Sequence, residues 1–122
     1  MYNHRPKVPL NKKQQEERAL QEQEEIRRTP LPQGTQVFGI VEMRVGGSRM
    51  MVRCMDGKVR NCRIPGRLKN KLWVREGDLV IVEPWEFSGD EKGDVILKYK
   101  RNQFEHLRER GVLKRLDEFE AL

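Results

Sequence analysis

The chain has 122 residues and a mass of 14.5 kDa, which allows one ordinary domain with a short extension. Charged and hydrophobic residues each make up 36 %, so the sequence can bury one small core but cannot also build a large cleft between domains. The net charge of +6 and the pI of about 9.6 indicate a polyanionic partner.

The sequence predicts a cytoplasmic protein. No run of about 18 apolar residues is present, so we expect no membrane-spanning helix. The first ten residues lack the apolar centre of a secretory signal. A structural disulfide between the two cysteines would be unusual in a reducing compartment, and a metal site at them would need two further ligands, so no cofactor is expected.

Residues 1–33 differ in composition from the rest of the chain. The stretch 11–28 is rich in Gln, Glu, Lys and Arg, which favours a helix locally, but only Ala19, Leu20 and Ile26 are apolar there. Three scattered apolar residues form no continuous stripe. We therefore expect a flexible tail, either disordered or an exposed helix. It ends at a Thr-Pro-Leu-Pro-Gln-Gly sequence that is typical of a boundary.

Residues 34–101 alternate between apolar and polar side chains in short segments, which is typical of strands. We predict five strands, at about 36–45, 49–55, 59–64, 79–82 and 94–100, with a helical turn within 66–74. The side chains predicted to share a face are Val37, Gly39, Val41, Met43 and Val45 in the first strand, Met50, Val52 and Cys54 in the second, and Val95, Leu97 and Tyr99 in the last.

An Asp-Gly turn joins the second and third strands, and its length decides their register. A two-residue turn would place Val59 opposite Cys54 and put Cys62 on the outer face. A longer loop, with Gly57 in the left-handed conformation and a bulge after it, would place Cys62 opposite Val52 on the inner face. We prefer the longer loop because it buries the apolar residues, which makes both cysteines core residues rather than metal ligands.

Residues 102–122 have helical character. The segment Asn102–Arg110 places Phe104 and Leu107 on one side and ends near a glycine, so we predict a C-terminal helix that packs on the strands. The segment 113–122 has the composition of a second, short acidic helix.

Basic residues are concentrated in the middle of the chain. Ten Lys or Arg residues lie from Arg44 to Arg75 with a single acid, Asp56, among them, whereas seven acids and one Lys lie from Glu76 to Asp94. A surface that serves only solubility would mix both signs. The basic run therefore predicts contact with nucleic acid.

Five short strands with a helical turn between the third and fourth are the layout of an oligonucleotide-binding barrel. We predict an all-β fold in which this five-stranded barrel spans residues 34–101, preceded by the flexible N-terminal tail 1–33 and followed by the C-terminal helical segment 102–122. This fold binds nucleic acid on its second and third strands and the adjoining loops, which is where most of the basic residues lie.

The segments Phe38–Glu42, Cys54–Gly57 and Cys62–Val74, with Val82–Trp85 and Asp94–Tyr99, closely resemble the translation initiation factor 1A family, in its archaeal branch. The resemblance covers roughly residues 34–113. It implies a monomeric, non-enzymatic factor that binds ribosomal RNA at the A site of the small ribosomal subunit, stabilises initiator methionyl-tRNA binding and promotes dissociation of the ribosome into subunits. The implied partners are the rRNA, the initiator tRNA indirectly, and initiation factors 1, 2 and 5B.

The resemblance also implies an RNA-binding site. The RNA-contacting motif of the family falls on Arg63, Arg67, Lys69, Lys71 and Trp73, and the residues expected to flank it on the barrel are Arg49, Arg53 and Arg60. Arg and Lys side chains displace counterions from phosphates, and Arg can grip one phosphate with two hydrogen bonds. Trp73 either stacks on a splayed base or closes the core as a packing residue. We assign Trp85 and Phe38 to packing.

Other functions fit the sequence less well. A cold-shock-like RNA-binding chaperone would need aromatic residues among the basic ones on the second and third strands, which carry Met51, Val59 and Asn61 instead. A protein-interaction adaptor would use the acidic loop or the C-terminal segment. Neither a phosphate-binding loop nor a nucleophile motif accompanies His4 and His106, so we expect no enzymatic activity.

Overall fold

Five strands close into one barrel in the computed structural model, which describes residues 9–113. The elements in chain order are α1 (Lys12–Arg27), β1 (Val37–Gly46), β2 (Arg49–Cys54), β3 (Val59–Arg63), a 3-10 turn (Gly66–Leu68), β4 (Leu79–Pro84), β5 (Lys92–Lys98) and α2 (Arg101–Glu109). The strand order around the barrel is β1-β2-β3-β5-β4, and β4 pairs with β1 to complete it. All neighbours are antiparallel except β3 and β5. The predicted five-stranded barrel with a C-terminal helix is confirmed.

The segment before the barrel forms the helix α1, and none of its residues is buried. Asn11 caps it, because its side chain accepts a hydrogen bond from the backbone N–H of Gln14 (2.8 Å). The last turn of α1 lies against α2, where the carboxylate of Glu25 accepts hydrogen bonds from Lys100 Nζ and Asn102 Nδ2 (both 2.8 Å). These hydrogen bonds hold the Glu25 pKa below its usual value. The acidic helix predicted for 113–122 lies almost wholly outside the described residues.

Two apolar clusters stabilise the fold. The first fills the barrel, and its buried members are Val41, Met50, Val52, Cys54, Cys62, Ile64, Val74, Val80, Val82 and Val95. The second lies between the outside of β1 and β4 and the helix α2, and its buried members are Phe38, Ile40, Leu79, Ile81, Tyr99, Leu107 and Leu113. Because both faces of β1 are covered at this end, four consecutive residues of the strand, 38–41, are buried.

Within residues 9–113, no helix is long and apolar enough to cross a membrane.

The predicted faces of β1 and β5 are partly wrong. Met43 and Val45 are exposed, because the β1–β2 ladder has register shifts after Val41 and again after Arg44. A bulge moves side chains to the other face of the sheet. The β4–β5 ladder has a similar shift, so Val95 lies in the barrel while Leu97 packs in the second cluster.

The β2–β3 hairpin has the predicted inner face but a different register. The Cys54 N–H donates to the Lys58 carbonyl, so the loop between them contains three residues, 55–57. Within it, Gly57 has φ +87°. The left-handed Gly57 is as predicted. Cys62 is buried, yet its partner is Met50 and not Val52, so the predicted register is wrong by two residues. A shift of two preserves which side chains face inward.

Candidate nucleic-acid interface

The outer face of the β2–β3 ladder places two arginines in opposed positions. Arg49 of β2 is the cross-strand partner of Arg63 of β3, and both are exposed. Like charges directly opposite each other destabilise an antiparallel pair. Arg63 has one carboxylate partner, Asp94, and Arg49 has none among the described residues. The two neighbouring guanidinium groups are therefore suited to bind an external anion.

Trp85 lies beside Arg63 where β3 meets β5. The parallel pairing of these strands puts Asp94 opposite Arg63, and the carboxylate accepts hydrogen bonds from Arg63 Nε (3.1 Å) and Trp85 Nε1 (2.9 Å). The Arg63 guanidinium lies 4.8 Å from the Trp85 ring centroid and the Lys92 ammonium 5.5 Å. These contacts fix the ring and the guanidinium relative to each other.

An open cleft extends this arrangement toward the 3-10 turn. Its lining includes Arg63, Arg67, Trp85 and three acids, Glu83, Glu86 and Asp94. The structure thus brings Arg49, Arg63 and Arg67 to one side of the barrel, around an aromatic ring. We assigned Trp85 to packing, and the ring does pack against Arg63 and Lys92; that it also borders this cleft was not predicted. The contact depends on the pairing of β3 with β5, which no local pattern in the sequence reveals.

The segment after the 3-10 turn presents three further predicted residues to solvent. Leu68 and Leu72 pack against the barrel cluster, as their four-residue spacing predicted, so the side chains between them point outward. Lys69 and Lys71 are exposed, and neither has an ion-pair partner within residues 9–113. Trp73 is 76 % exposed, which excludes the alternative in which it closes the core.

Arg53 lies on the same outer face but is partly neutralised. Its Nε is 2.7 Å from a carboxylate oxygen of Glu42 on β1, and its side chain is 23 % exposed. We therefore keep Arg53 as a flanking residue of the candidate interface rather than as a main contact.

Arg60 is not available to a ligand, which corrects the prediction that it flanks the site. Only 2 % of the residue is exposed. Its Nη1 and Nη2 donate to the two carboxylate oxygens of Asp56 (3.0 and 2.7 Å), and its Nε donates to the Gly89 carbonyl. Hydrogen bonds to Asp56 raise the Arg60 pKa further. Burial favours a raised Asp56 pKa, but the bonds from Arg60 and Lys58 outweigh it and hold that pKa below its usual value.

The two cysteines are buried free thiols inside the barrel. Burial raises the pKa of both, that of Cys62 to about 12. Phe38 is buried in the second cluster, as its assignment to packing predicted. Among the residues that the structure describes, no group of three or more His, Cys, Asp or Glu side chains could hold a metal ion.

Comparison with known proteins identifies the family. Residues 22–121 match the family described as "Translation initiation factor 1A / IF-1". A translation initiation factor 1A from Pyrococcus abyssi is 49 % identical over 92 residues, which cover 75 % of this chain and 81 % of that protein. The Methanococcus aeolicus relative of the same name is 52 % identical over 87 residues, covering 71 % and 83 %.

The similarity to solved structures is weaker. The crystal structure of YjeQ from Thermotoga maritima aligns with a TM-score of 0.44 at 22 % identity, over 54 % of this chain and 23 % of that one, and it adds nothing to the assignment. The family match spans most of the sequence, and the relatives are about half identical over more than two thirds of their length. The chain belongs to the translation initiation factor 1A / IF-1 family, whose members are non-enzymatic factors.

Proposed function

We propose that this chain is a translation initiation factor that binds the A site of the small ribosomal subunit through rRNA. It stabilises initiator methionyl-tRNA binding and promotes dissociation of the ribosome into subunits. Its direct partner is the rRNA, the initiator tRNA is reached indirectly, and initiation factors 1, 2 and 5B act with it. We expect it to act as a cytoplasmic monomer.

The observation that carries this proposal is the set of exposed cations around Trp85 and in the segment after the 3-10 turn. Arg49, Arg67, Lys69 and Lys71 have no ion-pair partner within residues 9–113, and Arg63 shares Asp94 with Trp85. Cations that no acid neutralises gain free energy when they displace counterions from RNA phosphates. The exposed ring of Trp73 adds a surface on which a base can stack, worth about 1–3 kcal/mol.

The test is co-sedimentation with purified small subunits. We expect the triple variant Arg67→Glu, Lys69→Glu, Lys71→Glu to lose binding while its thermal unfolding stays unchanged, because all three side chains are exposed. The matched control is Lys12→Glu, Lys13→Glu, Arg27→Glu on α1, which changes the charge equally and should bind as the wild type does. Equal loss of binding in both variants would show that net charge, and not this site, is responsible.

Salt dependence gives a second measure of the same contacts. Each phosphate contact contributes roughly 0.7–0.9 to the slope of log affinity against log salt. If the three side chains each neutralise one phosphate, the slope of the triple variant is smaller by about 2–3. A slope that does not change would place the phosphate contacts elsewhere on the chain.

The effect on tRNA is tested separately, by filter binding of initiator methionyl-tRNA to small subunits. Wild-type protein should raise the fraction of subunits that retain the tRNA, and the triple variant should not.

If the chain were instead a cold-shock-like chaperone, it would bind short single-stranded RNA as tightly as it binds subunits. The exposed faces of β2 and β3 carry Met51, Val59 and Asn61 and no aromatic ring, which does not favour that alternative.

A further inference from the structure

The helix α1 is attached to the rest of the molecule through polar contacts of its last turn. None of its residues is buried, and the two apolar clusters of the described residues include none of them. Glu25 is bound by Lys100 and Asn102, and the side-chain amide of Gln103 donates to the Glu25 carbonyl (3.0 Å). A contact that buries no apolar core residue is weak, so α1 can detach without disturbing the barrel.

The segment that follows α1 is held more firmly than the helix itself. Tyr99, which is 3 % exposed, donates a hydrogen bond to the Pro30 carbonyl. If Glu25 leaves α2, the helix therefore swings about residues 28–29 while Pro30 stays against the barrel. A helix of 16 residues that has no tertiary contact is marginally stable in water, so a detached α1 also frays.

The contact of Glu25 lies beside a cleft between β5 and α2. The lining of this cleft includes three cations, Lys98, Lys100 and Arg101, and one acid, Asp78. The Lys98 ammonium donates to the Trp73 carbonyl (2.9 Å), so the cleft adjoins the exposed Trp73 of the candidate interface. An RNA backbone that passes Trp73 therefore reaches these cations next.

Each of the three cations is paired with an acid while α1 is docked. The pairs are Lys98–Asp78 (3.4 Å), Arg101–Glu105 (3.3 Å) and Lys100–Glu25 (2.8 Å). The first two acids belong to the barrel and α2, whereas α1 supplies the third. When α1 detaches, the cleft gains one positive charge. A phosphate that binds Lys100 must first displace the Glu25 carboxylate, so the two anions compete for one ammonium group.

We propose that α1 is a detachable arm that lowers the affinity of the chain for RNA, because Glu25 occupies Lys100. When the arm detaches, Lys100 becomes a further phosphate-binding residue beside Trp73. This inference rests on the proposed function, since the RNA that displaces the arm is that of the small subunit. Most of α1 precedes residue 22, where the match to the family begins, so the family assignment does not account for the arm.

Co-sedimentation of the full-length chain with small subunits tests the competition. Glu25→Gln is compared with Glu24→Gln, which changes the net charge equally and also breaks an ion pair, but one with Arg28 next to the end of α1 itself. We expect Glu25→Gln to bind about two- to fivefold more tightly, the effect of one surface ion pair. Glu24→Gln should bind as the wild type does. Equal tightening in both variants would reflect net charge alone and would overturn the inference.

A second substitution identifies the cation that Glu25 occupies. Adding Lys100→Gln to Glu25→Gln should cancel the gain in affinity, because the phosphate contact that the first change frees is then absent. The slope of log affinity against log salt should be steeper by roughly 0.7–0.9 for Glu25→Gln and should return to the wild-type value in the double variant. A gain that persists without Lys100 would refute the role given to this residue.

Hydrogen–deuterium exchange follows the arm directly. When wild-type protein binds subunits, the amides of the last turns of α1 should exchange faster, because the detached helix frays. In the free protein, Glu25→Gln should show the same acceleration and Glu24→Gln a much smaller one. Unchanged or slower exchange of α1 on binding would overturn the inference. If no chain sedimented with subunits, the proposed function would fail instead, and the free variants would still show whether Glu25 holds the arm.

Discussion

Replacing Asp56 with alanine would leave a buried guanidinium without its counterion. Arg60 is 2 % exposed and gives two hydrogen bonds to the Asp56 carboxylate, so each partner neutralises the other. After the substitution, the guanidinium keeps the Gly89 carbonyl and the Cys54 sulfur as partners but has lost its carboxylate counterion. A positive charge in this position must either stay desolvated or pull the β4–β5 loop open to reach water.

The expected loss follows from the burial of the pair. Removing one partner of a buried ion pair costs about 3–5 kcal/mol. The Asp56 side chain is 31 % exposed, so water can partly replace it, and we expect a loss near the lower limit, about 3 kcal/mol. In a domain of this size, that corresponds to a drop of roughly 12 °C or more in Tm.

Urea unfolding followed by tryptophan fluorescence measures this loss. Glu42→Ala is the matched control, because it removes the partner of Arg53 at a more exposed site and should cost less than about 1 kcal/mol. The double variant Asp56→Ala, Arg60→Met should recover part of the stability, because it removes the unpaired charge. A single variant as stable as the control would refute the view that this pair supports the barrel.

The same pair makes stability depend on pH in a known direction. The Asp56 pKa lies below its ordinary value of 3.8, so the folded state binds the proton less readily than the unfolded state does. The carboxylate therefore contributes its stability above about pH 4, and that contribution is lost as the pH falls through the folded pKa. The difference in unfolding free energy between wild type and Asp56→Ala should shrink from pH 6 to pH 2. A constant difference would contradict the argument.

Two further predictions concern the barrel interior. Gly39→Ala should lower the free energy of unfolding by about 1–3 kcal/mol, because its Cβ would lie 2.4 Å from Val52 Cγ1 in a filled core. Gly66→Ala meets no atom within 4 Å and is the control; similar urea midpoints for the two variants would contradict the packing argument. Cys54 and Cys62 should resist iodoacetamide at pH 8 in the folded protein and react in urea, because burial raises both pKa values. Mass spectrometry counts the modified thiols, and equal rates in both states would show that the barrel opens readily.

The alternation of apolar residues predicted the strands but not all of their faces. The alternation is reliable where one face of a strand meets the core and the other meets water, as in β2. In β1 the face opposite the barrel is covered by α2, so Phe38 and Ile40 are buried although they lie out of phase with Val41. Bulges then shift the phase again, and the sequence carries no local sign of them.

Exposure could be predicted where charge and local spacing were sufficient. The outward position of Lys69 and Lys71 followed from a basic run between two leucines that pack inward, while their contact with RNA stays a prediction from the family resemblance. Arg60 was included on charge alone, although an inward Cys62 two residues later already placed it on the inner face. The position of Trp85 beside the cleft was missed because its contact with Arg63 depends on the pairing of two strands that are distant in the sequence.

The parallel seam between β3 and β5 also bears on how the molecule fluctuates. It joins only three residue pairs, whereas β2 and β3 share five, and parallel pairing is slightly weaker per residue. Amide hydrogens along this seam should therefore exchange with deuterium sooner than those inside the β2–β3 hairpin. A ligand that contacts both Arg49 of β2 and Lys92 of β5 would bridge this seam, so its binding should slow the exchange of these amide hydrogens.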